Sequence, residues 1–112
     1  MHKEHLEVAI TSAYHGGAVA IFTENLHCAD KLAGDAEEAA PSESVEKICR
    51  ANGRRAIYFG SGGSIRFISI RQSARGLSLD RAFVPIGIDQ DTLADVVPAL
   101  CTSQEGVLTG YY

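Results

Sequence analysis

The sequence predicts one three-layer α/β domain, a sheet with helices on both faces, and three observations carry that expectation. The run Ala18-Val19-Ala20-Ile21-Phe22 is apolar without a break, the pattern of a strand covered on both sides. Segments on either side of it repeat their apolar residues at three- and four-residue spacing, as amphipathic helices do. The length of 112 residues, 46% apolar and 21% charged, with 11 Gly, 3 Pro and no Trp, suits one small domain and leaves no room for two, so residues 1–112 are expected to fold as a single unit.

Each element has its own warrant. Leu6, Ala9, Ile10, Ala13 and Tyr14 form one stripe, so residues 3–15 read as a helix that Gly16-Gly17 stops. After the apolar strand, Asn25 is placed to cap a second helix with Leu26, Ala29, Leu32, Ala33 and Ala36 on its inner face, ended by Pro41-Ser42. A third helix fits Glu43 to Asn52, capped by Ser42 or Ser44, with Val45, Ile48 and Cys49 inward and Asn52-Gly53 at its end. Ala56–Phe59 and Ile65–Ile70 read as an antiparallel pair joined by Gly60-Ser61-Gly62-Gly63-Ser64. Arg71 to Leu79 reads as a polar loop around Ser73-Ala74-Arg75-Gly76, and Arg81–Ile86 as a buried strand with Pro85 at its end. A fourth helix follows, capped by Asp89 or Asp91 and running through Leu93, Val96 and Val97 to Pro98, and Gly106–Thr109 makes a last strand. The succession βαα(ββ)βαβ behind an initial helix is that of an α/β sheet.

Composition narrows the function classes. Cys28, Cys49 and Cys101 are odd in number and lack C-x-x-C spacing, which opposes a disulfide framework or a zinc site and fits a reducing compartment. No apolar run has the length of a membrane span, and Met1-His2-Lys3-Glu4 opens an amphipathic pattern rather than a signal peptide. A cytoplasmic protein without membrane contact is the expectation.

Charge is segregated along the chain. Residues 1–49 hold three lysines against nine acids, residues 50–81 hold seven arginines against Asp80 alone, and residues 82–112 hold four acids with no Lys or Arg. The arginine block of Arg50, Arg54, Arg55, Arg66, Arg71, Arg75 and Arg81 is a candidate footprint for phosphate or nucleic acid, because guanidinium pairs with phosphate through two parallel hydrogen bonds. The plainer reading makes these residues solvated strand ends paired with the acidic flanks. No aromatic-interleaved RNA platform is visible.

Other motifs resolve toward structure. Gly60–Ser64 has the composition of a phosphate cradle, yet it lies between two strands with no helix N-terminus after it, so a hairpin turn is expected. His27 and Cys28, neighbours on a helix, point about 100° apart and do not pair as base and nucleophile. His2 and His5 share a helix face without an HEXXH pattern, which fits adventitious metal binding rather than a site. Ser73 lacks the Gly-x-Ser-x-Gly setting of a nucleophile. Neither catalytic residues nor a metal site are expected.

The ordered signals resemble the core of the RecA-like P-loop ATPases, in particular large terminase subunits and related phage helicase-like ATPases. In that family a Gly-Lys-Thr/Ser tripeptide opens the first helix, a Gly-Gly turn leads into an apolar strand, and a Gly-Ser-x-Ile-x-Phe hairpin follows. Here Lys3 heads the helix, Gly16-Gly17 precedes Val19–Phe22, and Gly63-Ser64-Ile65-Arg66-Phe67 comes later. Ser73-Ala74-Arg75-Gly76-Leu77-Ser78-Leu79-Asp80 matches the family's Arg-Gly loop, Arg81–Val84 its acidic-ended strand, and Leu100 to Tyr112 looks like the next strand. The departures fall on the chemistry. No glycine-rich loop stands before Lys3, Glu4 takes the place of a Mg²⁺-binding hydroxyl, and Pro85-Ile86 stands where the family has its Asp-Glu pair.

The resemblance therefore implies a truncated, degenerate RecA-like fold in which Lys3 is the remnant of nucleotide binding and Arg66, Arg71, Arg75 and Arg81 are the candidate contacts to phosphate or nucleic acid. It implies no resident cofactor, with Mg-ATP the one to test, and a host-cell cytoplasmic setting if the chain is phage-encoded. In the resembled fold a further strand lies beside the one matching Val107-Leu108-Thr109, so an open sheet edge is expected there, and with it a homo-oligomer or protein partner. The function implied is a non-catalytic module that binds protein or nucleic acid. The alternative is a nucleotide-binding subunit of a terminase- or helicase-type ATPase completed in trans, with Arg75 as its electrophilic group. A doubly wound domain of flavodoxin or receiver type accounts for the helices but not for the Gly60–Ser64 hairpin.

Overall fold

A computed structural model of the protein describes residues 3–50, 55–70, 78–88, 90–100 and 106–111. Among them run helix α1 (Lys3–Tyr14), strand β1 (Ala18–Thr23), helix α2 (Leu26–Ala39), a single 3-10 turn (Ser42–Ser44), strands β2 (Val45–Cys49), β3 (Ala56–Phe59), β4 (Ser64–Ser69) and β5 (Arg81–Pro85), helix α3 (Gln90–Leu100) and strand β6 (Val107–Tyr111). The six strands form one sheet in the order β2-β3-β4-β1-β5-β6. β4, β1, β5 and β6 pair in parallel, β3 is antiparallel to β4, and β2 is antiparallel to β3.

The uninterrupted apolar strand lies at the centre, as its pattern requires. Val19 and Ile21 face α1 and α2 together with Ile57, Phe59, Ile65, Phe67 and Phe83. Ala20 and Phe22 face the other way, into a second cluster with Ala82, Val84, Val96 and Leu100 beneath α3. Alternate side chains of one strand thus feed two separate cores. Asn25 caps α2 as expected, its side-chain oxygen accepting the Cys28 N–H at 2.9 Å. Asp91 falls inside the first turn of α3, and Asp89 lies outside the described residues.

Residues 45–49 are a strand, not part of a third helix. Val45 and Ile48, three apart, look like one face of a helix, but a bulge between Val45 and Lys47 produces the same spacing in a strand. Val45 pairs with Phe59 and Ile48 with Ile57, and both partners belong to the core under α1 and α2. Pro41 and the turn Ser42–Ser44 end the helical path, and the Gly60 N–H donates to Ser44 O at 2.9 Å, fixing the start of the strand. The expected terminus at Asn52-Gly53 lies outside the described residues.

The Gly60–Ser64 segment is the hairpin connection that was expected, and its composition has a structural cause. It closes over the carboxyl end of α1, where the Ser61 hydroxyl donates to Ala13 O at 3.0 Å. A Cβ on Gly63 would stand 1.9 Å from that same carbonyl oxygen, so only glycine fits. A helix carboxyl end carries partial negative charge, which opposes phosphate binding at this loop.

Two glycine replacements have opposite expected outcomes. Gly63→Ala lowers stability by about 3 kcal/mol, because the clash is with backbone. Gly34→Ala, within α2 and with nothing beyond the helix's own adjoining backbone within 4 Å of the added Cβ, raises it by roughly 1 kcal/mol. Urea unfolding of the two variants measures both.

Candidate functional site

Ligands of open α/β sheets bind beyond the carboxyl ends of the parallel strands. Here β1 ends at Thr23, β5 at Pro85 and β6 at Tyr111, and α2 starts immediately after β1. These ends border a cleft of about 380 Å³, whose wall includes Glu24, Cys28 and Lys31 from the α2 side and Pro85 and Tyr111 from the strands. The Thr23 hydroxyl donates to Asn25 O at 2.9 Å and so shapes the turn between β1 and α2.

Tyr111 forms the floor. Its ring is buried and its hydroxyl donates to Phe22 O, which ties the end of β6 to β1 across the intervening β5. Burial, with smaller contributions from Cys28 and Glu24 when charged, raises the phenol well above its ordinary value. Sequence reasoning missed this residue, because the pattern of the last strand was strongest over Gly106–Thr109 and the tyrosines lay past it.

Lys3 stands apart from this floor, at the start of α1 and on a groove of about 750 Å³ between α1 and α2. The groove is acidic as well as apolar: Glu7, Asp35 and Glu38 share its lining with Lys3, and Leu32 and Asp35 also border the cleft. Glu4 follows Lys3 in the first turn.

The structure divides the arginine block. Arg55, 17% exposed, reaches Asp30 at 3.6 Å and Glu37 at 3.4 Å on α2, and Arg50 meets the same Glu37 at 3.4 Å. These two are paired with the acidic flank, as the plainer reading held. Arg66 is exposed on β4 beside Ala20, so it projects from the sheet face opposite α1 and α2. Arg81 pairs in register with Val19, on the other face and at the amino edge of β5, next to Asp80, whose carboxylate accepts the Ala18 N–H at 2.8 Å. Lys3, Arg66 and Arg81 are therefore not brought together. Arg54, Arg71 and Arg75 lie outside the described residues, as does Ser73.

Among the described residues no group of His, Cys, Asp and Glu is placed to hold a metal ion. His5 packs its ring 6.0 Å from that of Phe83, and His2 lies outside the described residues. No described helix is long and apolar enough to cross a membrane.

No protein-family model matches the sequence, and no curated protein matches it either. Two solved structures are similar in fold. The large terminase from a thermophilic bacteriophage aligns with a TM-score of 0.62 and 12% identity, over 95% of this chain and 27% of that chain. The same terminase in complex with ADP aligns with a TM-score of 0.59 and 12% identity, over 86% of this chain and 26% of that chain. The mixed six-stranded sheet with its helices is thus the terminase-like RecA α/β fold, and this chain spans about a quarter of the terminase's length.

The Tyr111 contact has a pH signature. The folded phenol holds its proton more tightly than the unfolded one, so its contribution to stability is complete below pH ~10 and declines as pH rises beyond that. Tyr111→Phe costs about 1 kcal/mol at neutral pH through the lost hydrogen bond and removes this part of the alkaline decline. Denaturant titrations of both proteins at neutral and alkaline pH supply the comparison.

Proposed function

We propose that this domain is a phage-type, terminase-like relative of the RecA-like ATPases that works by binding a protein or a nucleic acid and does not itself hydrolyse ATP. The end of β5 carries the reading. The strand closes on Pro85 at the edge of the cleft and Ile86, 53% exposed, follows it, so this position offers neither a carboxylate for Mg²⁺ nor a base for water.

The setting of Lys3 supports the same conclusion, since Glu4, Glu7 and Asp35 around it repel a phosphate that a single ammonium would attract. Two features supply means of binding. Among the described residues β6 pairs only with β5 and forms a sheet edge with Val107 and Leu108 exposed, which suits a protein partner that adds a strand. Arg66 stands exposed on the opposite side of the sheet from α1 and α2, which suits an anionic partner.

One observation favours a second reading, a nucleotide-binding subunit completed in trans. The α1 start that bears Lys3 and the cleft that bears Glu24 share Leu32 and Asp35 as a common wall, and β6, whose Tyr111 borders the cleft, is an edge strand among the described residues. The ADP bound by the terminase makes nucleotide the ligand to try.

Calorimetry with Mg-ATP, run beside a phosphate-release assay on wild type and Lys3→Ala, separates the readings. The expected result is no saturable heat and no phosphate release above buffer. Micromolar binding that Lys3→Ala abolishes would shift the assignment to the subunit completed in trans, and phosphate release by the isolated chain would overturn both.

A further inference from the structure

Part of the sheet face opposite α1 and α2 has no helix over it among the described residues. α2 covers β1, β3 and β4 on one side, α1 covers β1 and β4 there too, and α3 packs on β5 and β6. On the opposite face, β2, β3 and the start of β4 lie away from α3, while Ile68 further along β4 joins the cluster beneath it, and the registers state what lies on the uncovered part. Lys47 on β2 pairs with Tyr58 on β3, and Tyr58 pairs with Ser64 on β4. In the next row Cys49 pairs with Ala56, Ala56 with Arg66, and Arg66 with Ala20 of β1. Ile57, Phe59, Ile65 and Phe67, which alternate with these residues, are in the core under α1 and α2, so the rows of Tyr58 and Arg66 point to the other side.

We infer that this face binds single-stranded nucleic acid, with a base stacked on Tyr58 and the flanking phosphates held by Lys47 and Arg66. The inference deepens the binding-module reading and rests on it. Lys47 is the direct neighbour of Tyr58, and Arg66 is its diagonal neighbour, within reach for long side chains. Both cations are exposed and neither has an ion-pair partner among the described residues, whereas Arg50 and Arg55 are engaged by Asp30 and Glu37. Ala56 and Ala20, both small, flank Arg66 in register, and half-buried Tyr58 is its diagonal neighbour on the same face. An aromatic ring between two cations on a sheet face provides a stacking surface and two phosphate contacts. A duplex keeps its bases stacked and offers the ring nothing. An acidic peptide would use the cations without needing the ring.

The test is fluorescence anisotropy with labelled oligothymidylate on the full chain at low ionic strength, with the duplex and poly-glutamate as competitors. Saturable binding is expected, displaced by unlabelled single strands and not by poly-glutamate. Two phosphate contacts give a log–log salt slope of about −1.4. Tyr58→Leu, which keeps bulk but loses the π-face, weakens binding about tenfold, and Arg66→Glu weakens it at least as much. Circular dichroism establishes that each variant is folded, and Tyr58→Phe, which keeps the ring, restores wild-type binding. No saturable binding up to ~100 µM protein, equal displacement by poly-glutamate, or an affinity indifferent to Tyr58→Leu would each overturn the inference. The nucleotide calorimetry above reads the catalytic question independently, so failure here is distinguishable from failure of the binding-module reading.

Discussion

The constraint on which the structure depends is the two-sided burial of β1. A strand with no polar face must be covered on both sides, so helices have to be supplied above and below it, and its own backbone has to be paired left and right. β4 and β5 supply the pairing, α1 and α2 one cover, and α3 with Leu79 and Val84 the other. The two cores lie on opposite faces of this strand and its neighbours. The carboxyl-edge cleft follows from the same arrangement, because the parallel strands end together where α2 begins.

Much of this was legible in the sequence because most elements obey the period of their class. The α1 stripe through Leu6, Ala9, Ile10 and Ala13, the unbroken β1, the Asn25 cap and the glycine-rich hairpin each depend on local rules and appear where those rules put them, whereas Tyr14, expected at the end of that stripe, is exposed. β2 was not legible for a particular reason. Its bulge shifts the inward register by one residue, and the resulting three-residue spacing of Val45 and Ile48 imitates a helix. That one substitution of element type also hid the neighbourhood of Lys47 and Tyr58, which exists only when both segments are strands.

The candidate site was less legible than the fold. Arginines clustered in sequence were dispersed by strand alternation and topology, with Arg66 and Arg81 on opposite faces, and Arg50 and Arg55 held by α2. Linear charge segregation reports which segments attract one another at folding as readily as it reports a binding surface. The pairing of α2 with Arg55 fastens the β2–β3 side of the sheet to the helix layer. Tyr111 escaped notice because its role depends on reaching across β5 to β1, a geometry that no local pattern encodes.

The two ends of the sheet are not equivalent. β2 is bulged and carries Glu46 and Lys47, features that discourage another strand from lying alongside. β6, Val-Leu-Thr-Gly-Tyr, is regular and uncharged. A second copy joining through β6 would align like with like about a two-fold axis and use up the receptive edge of both molecules, while head-to-tail growth would require the guarded edge. Association by this route would stop at a pair, so that the edge left open among the described residues would not seed a fibre.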